Sequence, residues 1–133
     1  MQQAKNTEYR EINSEMAINI TNEKLWGEII SEELVAIDTN LKLTSFEKVR
    51  YTNALAKAAA RIEDDANFIH FDRETGNLLI LSNFEFIYEI DANGSCQCAA
   101  AVNGKVCWHR AARRLTSRYL VAEAVEKCAV SEL

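Results

Sequence analysis

Proline is absent from this 133-residue chain, and glycine occurs only four times. Because flexible linkers and low-complexity tracts are usually rich in small or proline residues, the sequence contains no segment of that kind, and it shows no internal repeat. The hydrophobic fraction of 48% is sufficient to build a core. We therefore expect one compact domain, composed of a helical region over residues 1–66 and a second region over residues 67–133.

Long hydrophobic runs are also lacking. Residues 1–10 are polar, and neither the apolar stretch of a signal peptide nor a run of membrane-spanning length follows them. These absences predict a protein of the reducing cytoplasm that has no contact with membranes.

The most informative pattern is Cys-x-Cys, a gap of eight residues and then Cys-x-His, formed by Cys96, Cys98, Cys107 and His109. Three thiolates and one imidazole complete a tetrahedral Zn²⁺ shell, which leaves no position for water or substrate. Residues two apart on an extended segment point to the same side, so the first two cysteines can reach one ion. On a helix such residues lie about 200° apart, so we expect Cys107 to precede a helix and His109 to lie in its first turn. The sequence thus predicts one structural zinc ion.

Two other interpretations of the cysteines were weighed. The four cysteines of the chain could form two disulfides, or two of them could form a redox-active dithiol. A reducing compartment favours metal binding over both. Cys128 lies outside the motif, and its neighbours Ala124 and Val125 in a helical stretch predict that it is a small buried apolar residue.

The two ligand pairs resemble those of the SWIM-type zinc finger family, over about residues 78–120. The resemblance implies a β-hairpin before the ligands, a helix after them, and a module that binds DNA or protein. The chain departs from the family at Trp108, where a polar or basic residue is common, and at Ala99, where proline is common. We interpret Trp108 as a packing residue in preference to a stacking platform for a base or a partner.

Hydrophobic periodicity predicts helices in the first half of the chain. A weak pattern covers residues 8–20, and a stronger one over 22–38 sets Trp26, Ile29, Ile30, Leu34 and Ile37 opposite Glu28, Glu32, Glu33 and Asp38. Thr44 and Glu47 then form a capping box that opens a second helix through the alanine-rich run to Arg61.

The period then alternates, which predicts short strands over 67–72, 78–82 and 84–90, with His70 as an ordinary half-buried strand residue. Asn93 and Gly94 supply a turn that brings Cys96 back along the sheet. A last helix follows Cys107, with a packing stripe formed by Ala112, Leu115, Tyr119 and Ala122. The predicted fold class is α+β, with N-terminal helices followed by a small antiparallel meander and a zinc-clamped hairpin and helix.

Charge is distributed unevenly. Residues 1–95 carry nine basic and 17 acidic side chains, whereas residues 96–133 carry six basic and three acidic ones. The basic residues around the ligands are Lys105, Arg110, Arg113, Arg114 and Arg118, and three of these arginines are spaced four apart on one helix face. They could bind DNA or another nucleic acid, together with Lys105 and Trp108, or dock on an acidic protein partner or the acidic body of the chain. They could also form an ordinary solvated face.

An enzyme is not expected. A closed zinc shell cannot activate water, the sequence has no glycine-rich phosphate loop, and only one histidine lies outside the metal motif. No small-molecule substrate is predicted for the same reasons.

Overall fold

The computed structural model describes residues 18–64, 69–81 and 87–131. It consists of helices α1 (Glu23–Asp38) and α2 (Ser45–Asp64), strands β1 (Ile69–Asp72), β2 (Asn77–Leu81) and β3 (Ile87–Ile90), the single-turn helix α3 (Ala99–Val102) and the long helix α4 (Trp108–Ser131). The predicted α+β class is confirmed. The weak helix predicted over 8–20 falls mainly outside the described residues.

The three strands form an antiparallel sheet in the order β1-β2-β3, which confirms the predicted meander. On one face of the sheet, two rows of residues run across the three strands: Ile69, Ile80 and Tyr88 form one row, and Phe71, Leu78 and Ile90 form the other. This face packs against the hydrophobic core. Parts of the first and third predicted strands, at residues 65–68 and 82–86, lie outside the described residues.

Helices α1 and α2 begin at capped ends. The Asn22 side chain accepts the Leu25 N–H at 3.0 Å before α1. Before α2, the Thr44 hydroxyl accepts the Glu47 N–H at 3.1 Å, and the Glu47 carboxylate accepts the Thr44 N–H at 2.9 Å. These bonds satisfy backbone N–H groups that have no partner within the first turn of a helix. The reciprocal pair between Thr44 and Glu47 confirms the predicted capping box.

The buried stripe of α1 also includes Leu25, and it differs from the predicted one at Glu33 and Leu34. Glu33 was placed on the solvent face but is only 7% exposed, whereas Leu34 was placed in the stripe and is 37% exposed. Glu33 lies four residues after the buried Ile29, on the same face of the helix. Arginines of α4 neutralise it there, so a charged side chain can occupy a core-facing position.

Helix α4 forms the centre of the core. Ala112, Leu115 and Tyr119 are completely buried. The Trp26 ring of α1 contacts the Tyr119 ring edge-on, with the ring centroids 5.8 Å apart. The predicted packing stripe is therefore confirmed in this part of the helix. The prediction that Cys128 is buried is wrong, because its side chain is exposed near the end of α4.

His70 is more buried than predicted, with 6% of its surface exposed. Burial lowers its pKa, and among the described residues its Nδ1 has no hydrogen-bond partner. It pairs with Leu79 in the sheet and lies apart from the four-residue motif in sequence.

No helix in the described part of the chain combines the length and the apolar character needed to cross a bilayer.

Candidate metal centre

The segment between β3 and α4 positions the four predicted ligands. A turn follows β3: the Asp91 carbonyl accepts the Gly94 N–H at 2.9 Å, and the Asp91 carboxylate accepts the N–H of Ser95 at 3.0 Å. Gly94 has a φ of +82°, a conformation that suits glycine. This confirms the predicted turn and delivers Cys96 to the centre.

Between the two ligand pairs the chain forms α3, which the sequence analysis did not predict. Cys98 is its N-cap, and the Lys105 N–H bonds to the Ala100 carbonyl at 2.8 Å as the chain turns back. Residues 94–98 form no strand, so the expected hairpin is reduced to a turn and a short helix. Cys107 lies directly before α4 and His109 lies in its first turn, as predicted.

The structure brings the four side chains together. The Cys98 and Cys107 sulfurs are 3.3 Å apart, the Cys96 sulfur is 3.5 Å from His109 Nδ1, and all four donor atoms lie within 4.8 Å of one another. Sulfurs around one zinc ion at bonds of about 2.3 Å are separated by roughly 3.8 Å. No member of the cluster is more than 9% exposed. The cluster can therefore hold one metal ion without a water ligand.

Backbone N–H groups surround the sulfurs. The N–H of Ala101 reaches Cys98 Sγ at 3.5 Å. The backbone N–H of Cys98 acts to lower the pKa of Cys96, and that of Arg110 acts to lower the pKa of Cys107. Each of the three sulfurs thus has a backbone N–H group nearby. Such bonds favour the ionised form, which is the form that binds metal.

The sulfurs are also coupled to each other. The hydrogen bond between Cys96 and Cys107 raises the pKa of Cys96 and lowers the pKa of Cys107, and His109 and the Arg110 N–H lower the pKa of Cys107 further. Cys107 also lies at the N-terminus of α4, where the helix dipole favours negative charge. The arrangement therefore favours the thiolate at Cys107 and the neutral thiol at Cys96 before any metal is considered.

Aromatic rings fix the imidazole. Tyr88 of β3 stacks on His109 with ring centroids 4.9 Å apart and an interplanar angle of 20°. The Trp108 ring also contacts the His109 ring, and their centroids are 4.3 Å apart. The core face of the sheet thereby orients a candidate ligand, which reduces the freedom that metal binding would otherwise remove.

Trp108 is partly buried and packs on the hydrophobic core. Its ring lies 5.5 Å from Lys57 Nζ and 5.6 Å from the Arg61 guanidinium, both on α2. These contacts match the packing role predicted for Trp108, and they add two cation–π pairs that the sequence did not indicate.

The predicted basic residues separate into two groups. The Arg113 side chain donates to the Gly76 carbonyl at 3.2 Å. Arg114 and Arg118 both donate to the Glu33 carboxylate, and the bond from Arg118 is 2.8 Å long. Arg118 also pairs with Glu32. Lys105 and Arg110 are exposed. Together with Arg114 they line a cavity of about 540 Å³ between α1, α2, the start of α4 and the segment 96–109, which we call the ligand segment. The α4 arginines therefore do not form one free face.

Glu33 joins α1 to α4. Burial would raise its pKa, but hydrogen bonds and charges from Arg114 and Arg118 outweigh burial and hold the pKa of this carboxyl below its usual range. The Glu33 side chain is 9% exposed, whereas Arg114 is 65% exposed, so loss of the acid leaves cations that water can solvate.

We expect Glu33→Gln to lower the free energy of unfolding by about 1–2 kcal/mol at pH 7, less than for a pair buried on both sides. Because the folded-state pKa of Glu33 is depressed, its contribution is present above the unfolded-state pKa and is lost as the pH falls through the folded value. Urea unfolding at several pH values should show the difference between parent and variant shrinking on acidification. A difference that does not change with pH would contradict the ion-pair assignment.

The fold and site thus define an α+β protein with a buried Cys₃His cluster that could bind a metal ion. Comparison with protein-family models, curated proteins and solved structures found no match to this chain. The resemblance to the SWIM-type finger is therefore one of residue spacing.

Proposed function

We propose that this chain is a non-enzymatic, cytoplasmic zinc-binding module of the SWIM type that binds nucleic acid with cationic side chains beside the zinc. The observation that carries the proposal is the cluster of four donor atoms within 4.8 Å at the start of α4, next to the exposed Lys105 and Arg110. Zinc suits three sulfurs and one imidazole, and four protein ligands leave no catalytic position.

The zinc would act as a clamp. Its ligands come from the segment after β3 and from the start of α4, so binding would hold this segment against the helix that forms the centre of the core. Lys105 is two residues before Cys107, and Arg110 follows His109. The metal would therefore fix the backbone at Lys105 and Arg110. Because that backbone is already ordered, these residues would lose less conformational freedom when their side chains bind phosphate.

The position of Arg110 makes it a better candidate contact than Arg114 or Arg118. The latter two bind Glu33, and releasing them would cost an existing ion pair. A charge reversal of all three arginines would therefore disturb both the fold and the surface. Lys105 and Arg110 allow a cleaner test.

A protein adaptor is the second candidate. Near the connection between α1 and α2, Leu41 is 97% exposed, Phe46 67% and Val49 58%. Exposed apolar side chains that lie close in sequence are typical of protein contact sites. In this alternative, zinc would have the same structural role.

The test is a titration of labelled single-stranded and duplex DNA and RNA at low salt, followed by anisotropy. We expect weak binding that falls steeply with salt, and at least about tenfold weaker binding for Lys105→Glu/Arg110→Glu because each contact releases counterions. Lys24→Glu/Lys42→Glu is the control with equal charge change. No binding by the parent would overturn the nucleic-acid function, and nuclease-resistant partners in a lysate capture would then favour the adaptor.

A further inference from the structure

We propose that the nucleic-acid backbone lies along a groove between α2 and the segment that connects α3 to α4, where Arg50 and Lys57 bind its phosphates. This inference rests on the proposed function and extends its contact surface to α2. We call this site the α2 groove. It is lined by Arg50, Asn53, Ala54, Lys57, Val106 and Trp108.

The lining of the α2 groove favours an anion. Two of its side chains are cationic, and none of the described residues that line it is acidic. The cavity measures about 260 Å³ and is largely open. It is smaller than the roughly 300–1,000 Å³ of pockets that enclose a small molecule, so contact along its rim fits better than insertion of a ligand.

Trp108 restrains one of the two cations of the groove. Lys57 Nζ lies 5.5 Å from the centroid of the Trp108 ring, so its ammonium is held beside the start of α4. Arg50 is restrained in a similar way, with its guanidinium 4.5 Å from the Phe46 ring. Cation–π contacts of this kind leave the charge available to a phosphate while limiting the motion of the side chain.

The groove also continues toward the cations of the proposed function. Ala54 and Val106 line both the α2 groove and the larger cavity that contains Lys105 and Arg110. Ala54 and Val106 therefore form a wall shared by the two cavities, with cationic side chains lining the cavity on each side of it. The larger cavity includes Glu33 and Glu47, but the first is bound by two arginines and the second accepts the Thr44 N–H.

A phosphodiester chain fits this arrangement better than an acidic peptide. Arg50 and Lys57 are seven residues apart on α2, about 10 Å along the helix axis, and Lys105 and Arg110 extend the set beyond the shared wall. Nucleic acid presents charge at regular intervals whatever its sequence, and phosphate contacts need no deep anchor pocket. We therefore expect binding with little sequence preference.

The experiment compares Arg50→Gln/Lys57→Gln with the parent, using a short fluorescein-labelled DNA duplex at several salt concentrations. Loss of two phosphate contacts should reduce the slope of log affinity against log salt by about 2, and should weaken binding about 50-fold at about 0.1 M salt. Lys24→Gln/Arg73→Gln is the matched control, because it removes the same charge at exposed positions that line neither cavity. Zinc content should be the same in all three proteins, and the groove variant should unfold only slightly below the parent because it loses two exposed cation–π contacts.

The outcomes separate the groove from the function. If the parent binds DNA and the groove variant keeps the parent's affinity and salt slope, the groove is wrong and the proposed function stands. An equal loss in the control variant also overturns the groove, because the effect would then reflect net charge. If the parent binds polyglutamate but no nucleic acid, both proposals fail and an acidic protein partner takes their place.

Discussion

Purified protein should contain about one Zn²⁺ per chain, and Cys107→Ser should abolish zinc binding and unfold the segment after Ile90. Structural zinc sites of this type contribute about 10–16 kcal/mol of apparent binding energy, which is also folding energy, whereas whole domains are stable by about 5–15 kcal/mol. Because Cys107 directly precedes α4, its loss should also destabilise the packing of that helix on the core. Metal analysis and circular dichroism, with and without chelator, measure both effects.

The fourth cysteine, Cys128, provides a matched control variant for this experiment. Cys128 is exposed and lies outside the cluster, so Cys128→Ser should retain one zinc ion and the stability of the parent. Cys96→Ser, Cys98→Ser and His109→Ala should each behave like Cys107→Ser. Zinc-free protein with full stability and an ordered ligand segment would contradict the structural role of the metal.

Local signals in the sequence predicted the helices and the sheet well. The capping box at Thr44 and Glu47 depends on residues three apart, and the stripe through Leu115 and Tyr119 depends on one helical period, so neither needs knowledge of distant partners. The assembly of the Cys/His cluster was predictable for the same reason, because its spacing limits the local backbone.

The errors arose where a residue's environment depends on a distant element. Helical spacing puts Glu33 on the face of Ile29, but nothing local shows how its charge could be neutralised there. Its burial depends on two arginines more than 80 positions later in the chain. Conversely, Cys128 has apolar neighbours, but α4 has left the core by that point. Short alanine-rich helix α3 had a usable signal, since alanine favours helix and Cys98 can cap it.

The predicted contact surface shows the same limit. Spacing correctly puts Arg110, Arg114 and Arg118 near one another on a helix, but it cannot identify the element packed beside that face. Packing of α4 on α1 assigns two of them to Glu33. The cations of α2 share a groove with Trp108 and Val106, and no local pattern in the sequence indicates that groove.

Tyr119→Ala is expected to lower the free energy of unfolding by about 5 kcal/mol, the largest effect we predict outside the metal centre. The side chain is completely buried against Trp26, so its removal leaves a large cavity, and such truncations cost about 3–5 kcal/mol. Its hydroxyl also accepts the backbone N–H groups of Thr21 and Asn22 at 3.1 and 2.9 Å. These bonds attach the start of α1 to α4.

Tyr119→Phe separates the two contributions. It keeps the ring but removes the acceptor of two backbone donors and the donor to Glu123 at 2.8 Å, so we expect a loss of about 1–3 kcal/mol. Val121→Ala is the control on the same helix, because Val121 is 62% exposed and should change stability by less than about 0.5 kcal/mol. Urea unfolding measures all three variants. If Tyr119→Phe equals the parent, the hydroxyl bonds contribute nothing, and the attachment of α1 to α4 depends on apolar packing and on Glu33.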